Sequence, residues 1–532
     1  IFFIFHLKAR RVKGVFKSQF YNASGTLSKK AVASYGGLFL MSYIASYPTF
    51  SNFTLFLKNA YSFISAAYYV YLGMLIKFGL FDLFENRLFK SKFYNSTFGV
   101  ALRADIEKFH LVLISLAIVL VGYYFQIQYN LFYADLRWPY DYFLFKPHLR
   151  FGDFNIIVTQ GANLNPYFQG FGVAPYFPFA YFTAYLLNMI HSSLSIYLLF
   201  FFFALGIAGL AKQIQKDQGR FGVVALLLLM AISYPVLFAF DRGNLEILVF
   251  ALMAYFCLQW RDRPIVADIF LSLAISMKAF PAVLLLVLLK DFKIKRIIII
   301  VGLSSCITIL SAMLFEGGIW KSFLGWQYHY TRFVKEYAVG NSGFYYGHSI
   351  WGMVKSYVIF TRHGVSNMAE YLHNYNIFSA ITLVLIALFA FLKVKKDWQV
   401  VFLMVSLVAM LPPVSSDYRL IQFLIPMSMF FGAKNKEPVR SFFYMLLFAL
   451  LLMPKNYSIN LAYHWLHLPK GLFFGQLVNP SIIFLFVLTI VVENFRNPID
   501  FPKLGRRLKE TIGLSTSVDE NNTTTKSRVP KA

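Results

Sequence analysis

The residues in this sequence that are equipped for chemistry are a few charged groups beside long apolar runs. Asp153 opens the stretch Phe151–Leu187, followed by a turn cluster of Gly161, Asn165, Pro166 and Tyr167. An aspartate in such a place can serve as a general base, taking a hydroxyl proton, or as a solvated turn residue. Asp135 and Asp141 compete for the same role, and composition does not choose among the three. Arg242 and Lys278 each stand at the edge of an apolar run. Either they snorkel to an interface, or they form a cationic site for a phosphate. Arg419 has the same two options or pairs with the nearby Asp417. His348 fits a phosphate ligand or a structural hydrogen bond equally well. The stretch Trp326–Met353 is dense in Tyr, His, Gly and Asn, a composition that suits both sugar-binding platforms and interfacial aromatic belts.

What must position these groups is a set of membrane helices. The chain has 532 residues, of which 58% are hydrophobic and 14% charged, against about a quarter charged in an ordinary soluble domain. Its apolar runs exceed what one soluble core buries, so an all-α, polytopic transmembrane bundle is expected. Lys plus Arg outnumber Asp plus Glu by 50 to 24. In a membrane protein this excess marks cytoplasmic loops and anionic lipid headgroups rather than nucleic acid. The two cysteines, Cys257 and Cys306, fall within apolar runs and imply neither a disulfide framework nor a metal site. No secretory leader pattern stands out. The first residue is Ile1, not Met, and further residues upstream are expected.

Charge then assigns sides. Residues 1–108 read as a basic region with two weaker apolar runs, 36–50 and 61–80, spanning or interfacial. From Phe109 the runs 109–128, 193–210, 222–240, 245–260, 297–314, 376–392, 398–411, 420–431, 441–453 and 481–492 alternate across the membrane. Lys278-Ala-Phe-Pro281 splits the run 265–290, because the residue before a proline tends to leave the helical region. Tyr176–Ile190 is expected as an aromatic helix that does not span; otherwise every later basic loop faces outward, against the charge rule. The scheme puts Asp153, Arg242, Lys278, His348 and Arg419 on one outer face, with long outer stretches at 151–187 and 315–375. A bundle domain at 109–494 and a disordered cytoplasmic tail at 495–532 complete it.

No Gly-rich phosphate loop, zinc-protease helix or serine-nucleophile elbow occurs. In order, the chain holds Asp153-Phe with Gly161 and Asn165-Pro-Tyr167, then Tyr176-Phe-Pro178, and Gly243-Asn244-Leu-Glu246. Lys278-Ala-Phe-Pro281, Gly340-Asn-Ser342 with Gly347, and Pro412-Pro-Val-Ser-Ser-Asp-Tyr418 follow. This succession resembles the GT-C superfamily of polytopic glycosyltransferases, closest to glycosyltransferase family 87, over about Phe109–Val492. The late motif departs from that family's aromatic and histidine-rich pattern by carrying Ser416-Asp417-Tyr418.

The resemblance implies a GT-C-type bundle with two large outer loops. It also implies inverting transfer of one sugar, as in polyprenyl-phosphate-mannose-dependent enzymes, from a polyprenyl phosphate to a lipid or glycan hydroxyl. Asp153 would be the base. Arg242, Asn244, Lys278, His348, Arg419, Asn165 and Tyr167 would bind substrate or phosphate. No cofactor is required; a divalent metal is compatible but not implied. A bacterial inner membrane location, with the site on its outer face, is expected. The competing functions are a transporter or flippase of lipid-linked sugars, which commonly shows internal repeats absent here, and a glycan ligase of the O-antigen type.

Overall fold

Helices account for all the regular structure among the described residues, and no strand occurs there. The computed structural model describes residues 112–127, 151–168, 174–190, 192–340, 347–362, 367–433, 438–455 and 474–498. The two apolar runs before residue 108, Asp135, Asp141 and the tail from 499 onward lie outside them.

The chain begins with α1 (Val112–Ile127). Helix α2 (Gly152–Gly161) follows, where a loop was expected, and α3 (Pro178–Met189) is the aromatic helix expected at 176–190. Helix α3 is 12 residues long, roughly 18 Å at 1.5 Å per residue. That is well short of the ~30 Å hydrocarbon core, in keeping with the non-spanning assignment. The next run, α4 (Ser192–Ile232), is helical for 41 residues, yet it is not one straight rod. From Phe200 to Ile232 a straight helix advances ~48 Å, and the eight residues on to Phe240 reach at most ~28 Å. The rings of Phe200 and Phe240 are nevertheless 4.6 Å apart. Gly206 and Gly209 pack against Ala251 and Leu258, so the run turns back between Gly209 and Ile232. The two expected runs are present, joined by helix instead of a basic loop.

Helix α5 (Tyr234–Arg242) is bent 50° from the end of α4, and α6 (Glu246–Gln259) and α7 (Pro264–Met277) follow. The predicted break is present: Lys278 is extended, and a 3-10 turn (Phe280–Leu284) leads into α8 (Leu285–Lys290). Next come α9 (Ile294–Met313), α10 (Gly318–Phe333), a π turn (Val334–Val339), α11 (Ile350–Arg362) and α12 (Met368–Leu392). The stretch 315–375, expected as an outer loop, is therefore largely helical where it is described. The last elements are α13 (Asp397–Met410), a 3-10 turn (Asp417–Phe423), α14 (Leu424–Phe431), α15 (Pro438–Leu452) and α16 (Phe474–Asn494).

Sequence explains which helices face lipid. Helix α13 is buried at every position from Trp398 to Met410, and a helix apolar all round belongs in an interior. Its Phe402 ring stacks on Phe486 at 3.8 Å. Helices α9 and α12 are long, apolar and mostly uncovered by protein, as a lipid-facing helix should be. By length and apolarity, four described helices qualify as spans, or five counting the bent α4–α5 pair.

The two ends of the bundle differ. At one end the starts and stops of α6, α7, α9, α13, α15 and α16 are clasped by ion pairs. These are Arg296–Asp268 at 2.7 Å, Arg261–Asp397 at 2.7 Å, and Lys396 and Arg440 on Glu493 at 2.8 and 3.1 Å. At the other end α5 stops, α6 starts, α7 breaks and the 417–423 turn begins. The residues of interest gather there.

Candidate functional site

The site is assembled from chain ends, where backbone groups and charges are least committed. Helix α2 begins after Phe151, whose φ of 55° is left-handed, and the Phe151 amide donates to the Asp241 carbonyl at 2.6 Å. This link places Asp153, in the first turn of α2, beside the last residue of α5. Gly243 makes the approach feasible. Its φ is +63°, and a Cβ there would lie 2.7 Å from the Phe154 Cβ, so only glycine fits without strain. Gly161 does the same at the far end of α2, where a Cβ would come within 2.8 Å of the Ala184 Cβ.

Asp153 is thus a paired helical residue, not a solvated loop aspartate. Its Oδ1 accepts from Arg242 Nε at 3.1 Å and from a second guanidinium nitrogen, and its Oδ2 accepts from Asn244 Nδ2 at 2.7 Å. Both charged side chains remain about one-fifth exposed, at 20% for Asp153 and 19% for Arg242. Asn244 works in two directions, because its Oδ1 accepts the Glu246 amide at 2.9 Å and Lys278 Nζ at 3.2 Å.

Glu246, fully buried, joins the remaining cations. Its Oε2 takes Lys278 Nζ at 2.7 Å, and its Oε1 lies 3.4 Å from Arg419 Nε. Lys278 therefore points into the protein and does not snorkel. Its ammonium lies 5.3 Å from the centre of the Tyr176 ring and 5.8 Å from that of Tyr418, where the negative faces of the rings favour a cation. Arg419 stands over the Phe280 ring at 5.1 Å and donates to Ser415 Oγ at 3.4 Å.

Arg419 does not take the option of pairing with Asp417. Asp417 instead accepts the Tyr234 hydroxyl at 2.7 Å and faces His348 Nδ1 at 3.2 Å. His348 Nε2 lies 3.0 Å from Ser415 Oγ, and its amide donates to the Ser415 carbonyl at 2.9 Å, beside the isolated bridge from Gly347 to Ser416. Both ring nitrogens are engaged and the side chain has no exposure. Burial pushes the His348 pKa below its ordinary value, with Asp417 opposing. A neutral ring donating to Asp417 through Nδ1 and accepting from Ser415 at Nε2 satisfies every partner. In this arrangement His348 braces the late motif.

Asn165 and Tyr167 stand one step away. Tyr167 is buried, donates to the Tyr176 carbonyl at 3.0 Å, and offers its own carbonyl to His329 Nε2 at 2.6 Å. Gly325 packs directly on its side chain, and the Glu316 amide reaches the Leu164 carbonyl at 2.7 Å. The 164–167 turn thus seats α10 and holds Tyr176, which in turn faces Lys278.

The grouping of Asp153, Arg242, Asn244, Lys278 and Arg419 follows the sequence expectation. Glu246, at its centre, and Asp417 beside it were not among the expected site residues, although both stood inside the motifs. The signal for Glu246 was a carboxylate at the end of an apolar run, which needs a buried cationic partner; Asp417 is met by Tyr234 and His348 instead. Among the described residues no three His, Cys, Asp or Glu side chains are placed to share a metal ion.

A half-buried cluster of cations, carboxylates and amide groups at one end of a helical bundle, with lipid-facing helices around it, defines an integral membrane protein with a polar reaction or binding site. Residues 170–416 match the model of glycosyltransferase family 87, which supports a membrane glycosyltransferase of that family. The match takes in Arg242, Asn244, Glu246, Lys278 and His348, while Asp153 precedes it and Asp417 and Arg419 follow it. No curated protein and no solved structure matches the chain.

Proposed function

We propose that this protein is a GT-C-type enzyme that moves a single sugar from a polyprenyl-phosphate donor to a hydroxyl of a lipid or glycan acceptor, with inversion, at the outer face of a bacterial inner membrane. The observation carrying this reading is the apposition of the Asp153 carboxylate and three cations, Arg242, Lys278 and Arg419, through Asn244 and Glu246. An acceptor hydroxyl attacks the anomeric carbon and gives its proton to Asp153. The bond from that carbon to the phosphate oxygen breaks, and the electron pair leaves with the polyprenyl phosphate. Charge grows on the departing phosphate, where fixed guanidinium and ammonium groups favour the transition state over the ground state. The cluster's position at helix ends, beside helices long enough to meet lipid, suits a donor whose tail stays in the bilayer.

Asp153→Asn keeps the shape of the side chain and its contact with Arg242 while removing the base. With purified enzyme and polyprenyl-phosphate sugars, turnover is expected to fall by ~10²–10⁴, with donor binding retained. Wild-type turnover in that variant would transfer the base role to another group. A wild type inert with every lipid-phosphate sugar would end the donor assignment.

A further inference from the structure

Helix α10 has two unlike sides, and only one of them is covered by the described protein. At roughly 100° per residue, Ser322, Gly325, Trp326, His329 and Phe333 share the inner side. This side grips the supports of the site: Gly325 packs on the Tyr167 side chain, His329 Nε2 meets the Tyr167 carbonyl, and Trp326 Nε1 donates to the Pro175 carbonyl at 3.3 Å. Ile319, Trp320, Phe323, Leu324 and Tyr330 fall together in an outward arc of about 140°, with Gln327 and Thr331 among them. All five are exposed, Trp320 by 70%. Lys321, Tyr328 and Arg332 form the edge between the arc and the inner side. Soluble proteins rarely leave an apolar face of this width in water.

The preceding helix indicates what covers the arc. Helix α9 has 20 residues, roughly 30 Å, which matches the hydrocarbon core of a bilayer, so its ends lie close to the two membrane surfaces. Its last turns expose Ile309, Leu310 and Met313. The chain then turns at Gly317 and Gly318, with φ of +85° and +63°. Ser322, in the second turn of α10, brings its Oγ to 3.5 Å from the Ala312 carbonyl near the end of α9. Helix α10 is therefore seated on the end of a lipid-facing span, and the apolar surface of that span runs on into the arc. With 16 residues, or roughly 24 Å, α10 is itself too short to cross.

The chemistry of the arc and its edge suits the boundary between lipid tails and water. Tryptophan and tyrosine favour the headgroup level because one part of each ring system is apolar and another forms hydrogen bonds. Long cations at the margin lay their stems along apolar surface and reach up to phosphate. Lys321 does the first of these already, with its ammonium 5.0 Å from the centre of the exposed Phe168 ring, and Arg332 is held by Glu336 at 2.7 Å on the same edge. We propose that α10 is an interfacial helix, docked in the leaflet at the active end of the bundle, with the arc around Trp320 and Phe323 among the upper carbons of the acyl chains and Lys321 and Arg332 at the level of lipid phosphate. The inner side of α10 holds Tyr167 and, through it, Tyr176, whose ring faces Lys278. Docking thus ties the supports of the site to the headgroup layer. The proposal is independent of the sugar-transfer reading, since it needs only the bundle and a bilayer.

The test uses the full chain in phosphatidylcholine nanodiscs, in a background lacking Cys257 and Cys306. Single cysteines introduced as Trp320→Cys, Phe323→Cys, Tyr328→Cys and Val301→Cys carry an environment-sensitive NBD label. Each is read with lipids brominated either near the headgroup or near the chain end, and with aqueous iodide. A helix buried ~5–10 Å into the headgroup boundary predicts roughly twofold stronger quenching at 320 and 323 by the shallow bromines than by the deep ones. Val301, exposed near the middle of α9, should show the reverse order and serves as the deep reference. Tyr328, on the polar edge, should remain open to iodide. Two arc positions are used so that a disturbance caused by one substitution does not decide the outcome. Labels at 320 and 323 that iodide quenches and bromolipid does not overturn the proposal, because the arc then faces water. Labels shielded from both quenchers overturn it in favour of a protein cover, a second copy included. Stronger quenching by the deep bromines overturns the interfacial placement. No substrate enters the measurement, so a chain that transfers no sugar can still show docking, and an active chain can still fail it.

Discussion

Glu246 shows what the residue scale adds to the sequence. A carboxylate without exposure between Lys278 and Arg419 is retained only because both cations need it. Removing one partner of a buried pair costs ~3–5 kcal/mol, so Glu246→Ala should lower thermal stability by about that much and abolish transfer. Glu246→Gln, which keeps the shape and loses the charge, should retain more stability than turnover; thermal unfolding beside an activity assay separates the two. His348 gives a pH test. Its folded-state pKa lies below the ordinary value of 6.5 because the ring is buried, with Asp417, Arg419 and Glu246 as its charged neighbours. The unfolded chain then takes up the proton first as pH falls, so stability from this group is complete above pH 6.5 and is lost below it. Melting temperatures from pH 8 to 5 should fall less steeply in His348→Gln than in wild type.

The charges flanking apolar runs made Asp153, Arg242, Lys278 and Arg419 visible in sequence. Their partners were not visible, because pairing is decided by side-chain direction at helix ends. Proximity in sequence favoured Arg419 with Asp417. In the structure Arg419 reaches Glu246, and Asp417 receives Tyr234 from a helix 183 positions away.

At the scale of elements, proline proved a dependable guide. Pro281 predicted the break after α7, and Lys278 stands there with extended backbone. Pro281→Ala should let the helix run on and swing Lys278 away from Glu246, lowering turnover with little loss of fold, as circular dichroism and an assay of the same preparation would report. Helix α2 was harder to foresee, since its start depends on a left-handed Phe151 and its fit on Gly243. Neither leaves a periodic signature. Gly243→Ala brings a Cβ to 2.7 Å from Phe154 and demands an unfavourable φ, costing about 1–2 kcal/mol in conformation alone. It should loosen the Asp153–Arg242 contact and reduce turnover before it unfolds the protein.

For the whole molecule, alternation of apolar runs with basic stretches was enough to anticipate an all-helical bundle with its informative charges at one end. The hydropathy pattern did not show that many central helices are shorter than a bilayer is thick. It also did not show that the basic stretch between the runs 193–210 and 222–240 is itself helical. Sidedness is open to a direct check. In a background lacking Cys257 and Cys306, an impermeant maleimide on intact cells should label a cysteine at exposed Tyr328, and should label one at exposed Lys295 only after permeabilisation. The reverse pattern would place the active end in the cytoplasm.

Each cation of the cluster already has a carboxylate companion: Arg242 has Asp153, and Lys278 and Arg419 share Glu246. If the site takes a lipid phosphate as proposed, that phosphate would not meet a bare positive socket but would have to cut in on existing couples. The same companions would reclaim their cations when the spent carrier departs. Tethered acids of this kind would then act as an ejector, keeping the site from staying clogged with its own leaving group.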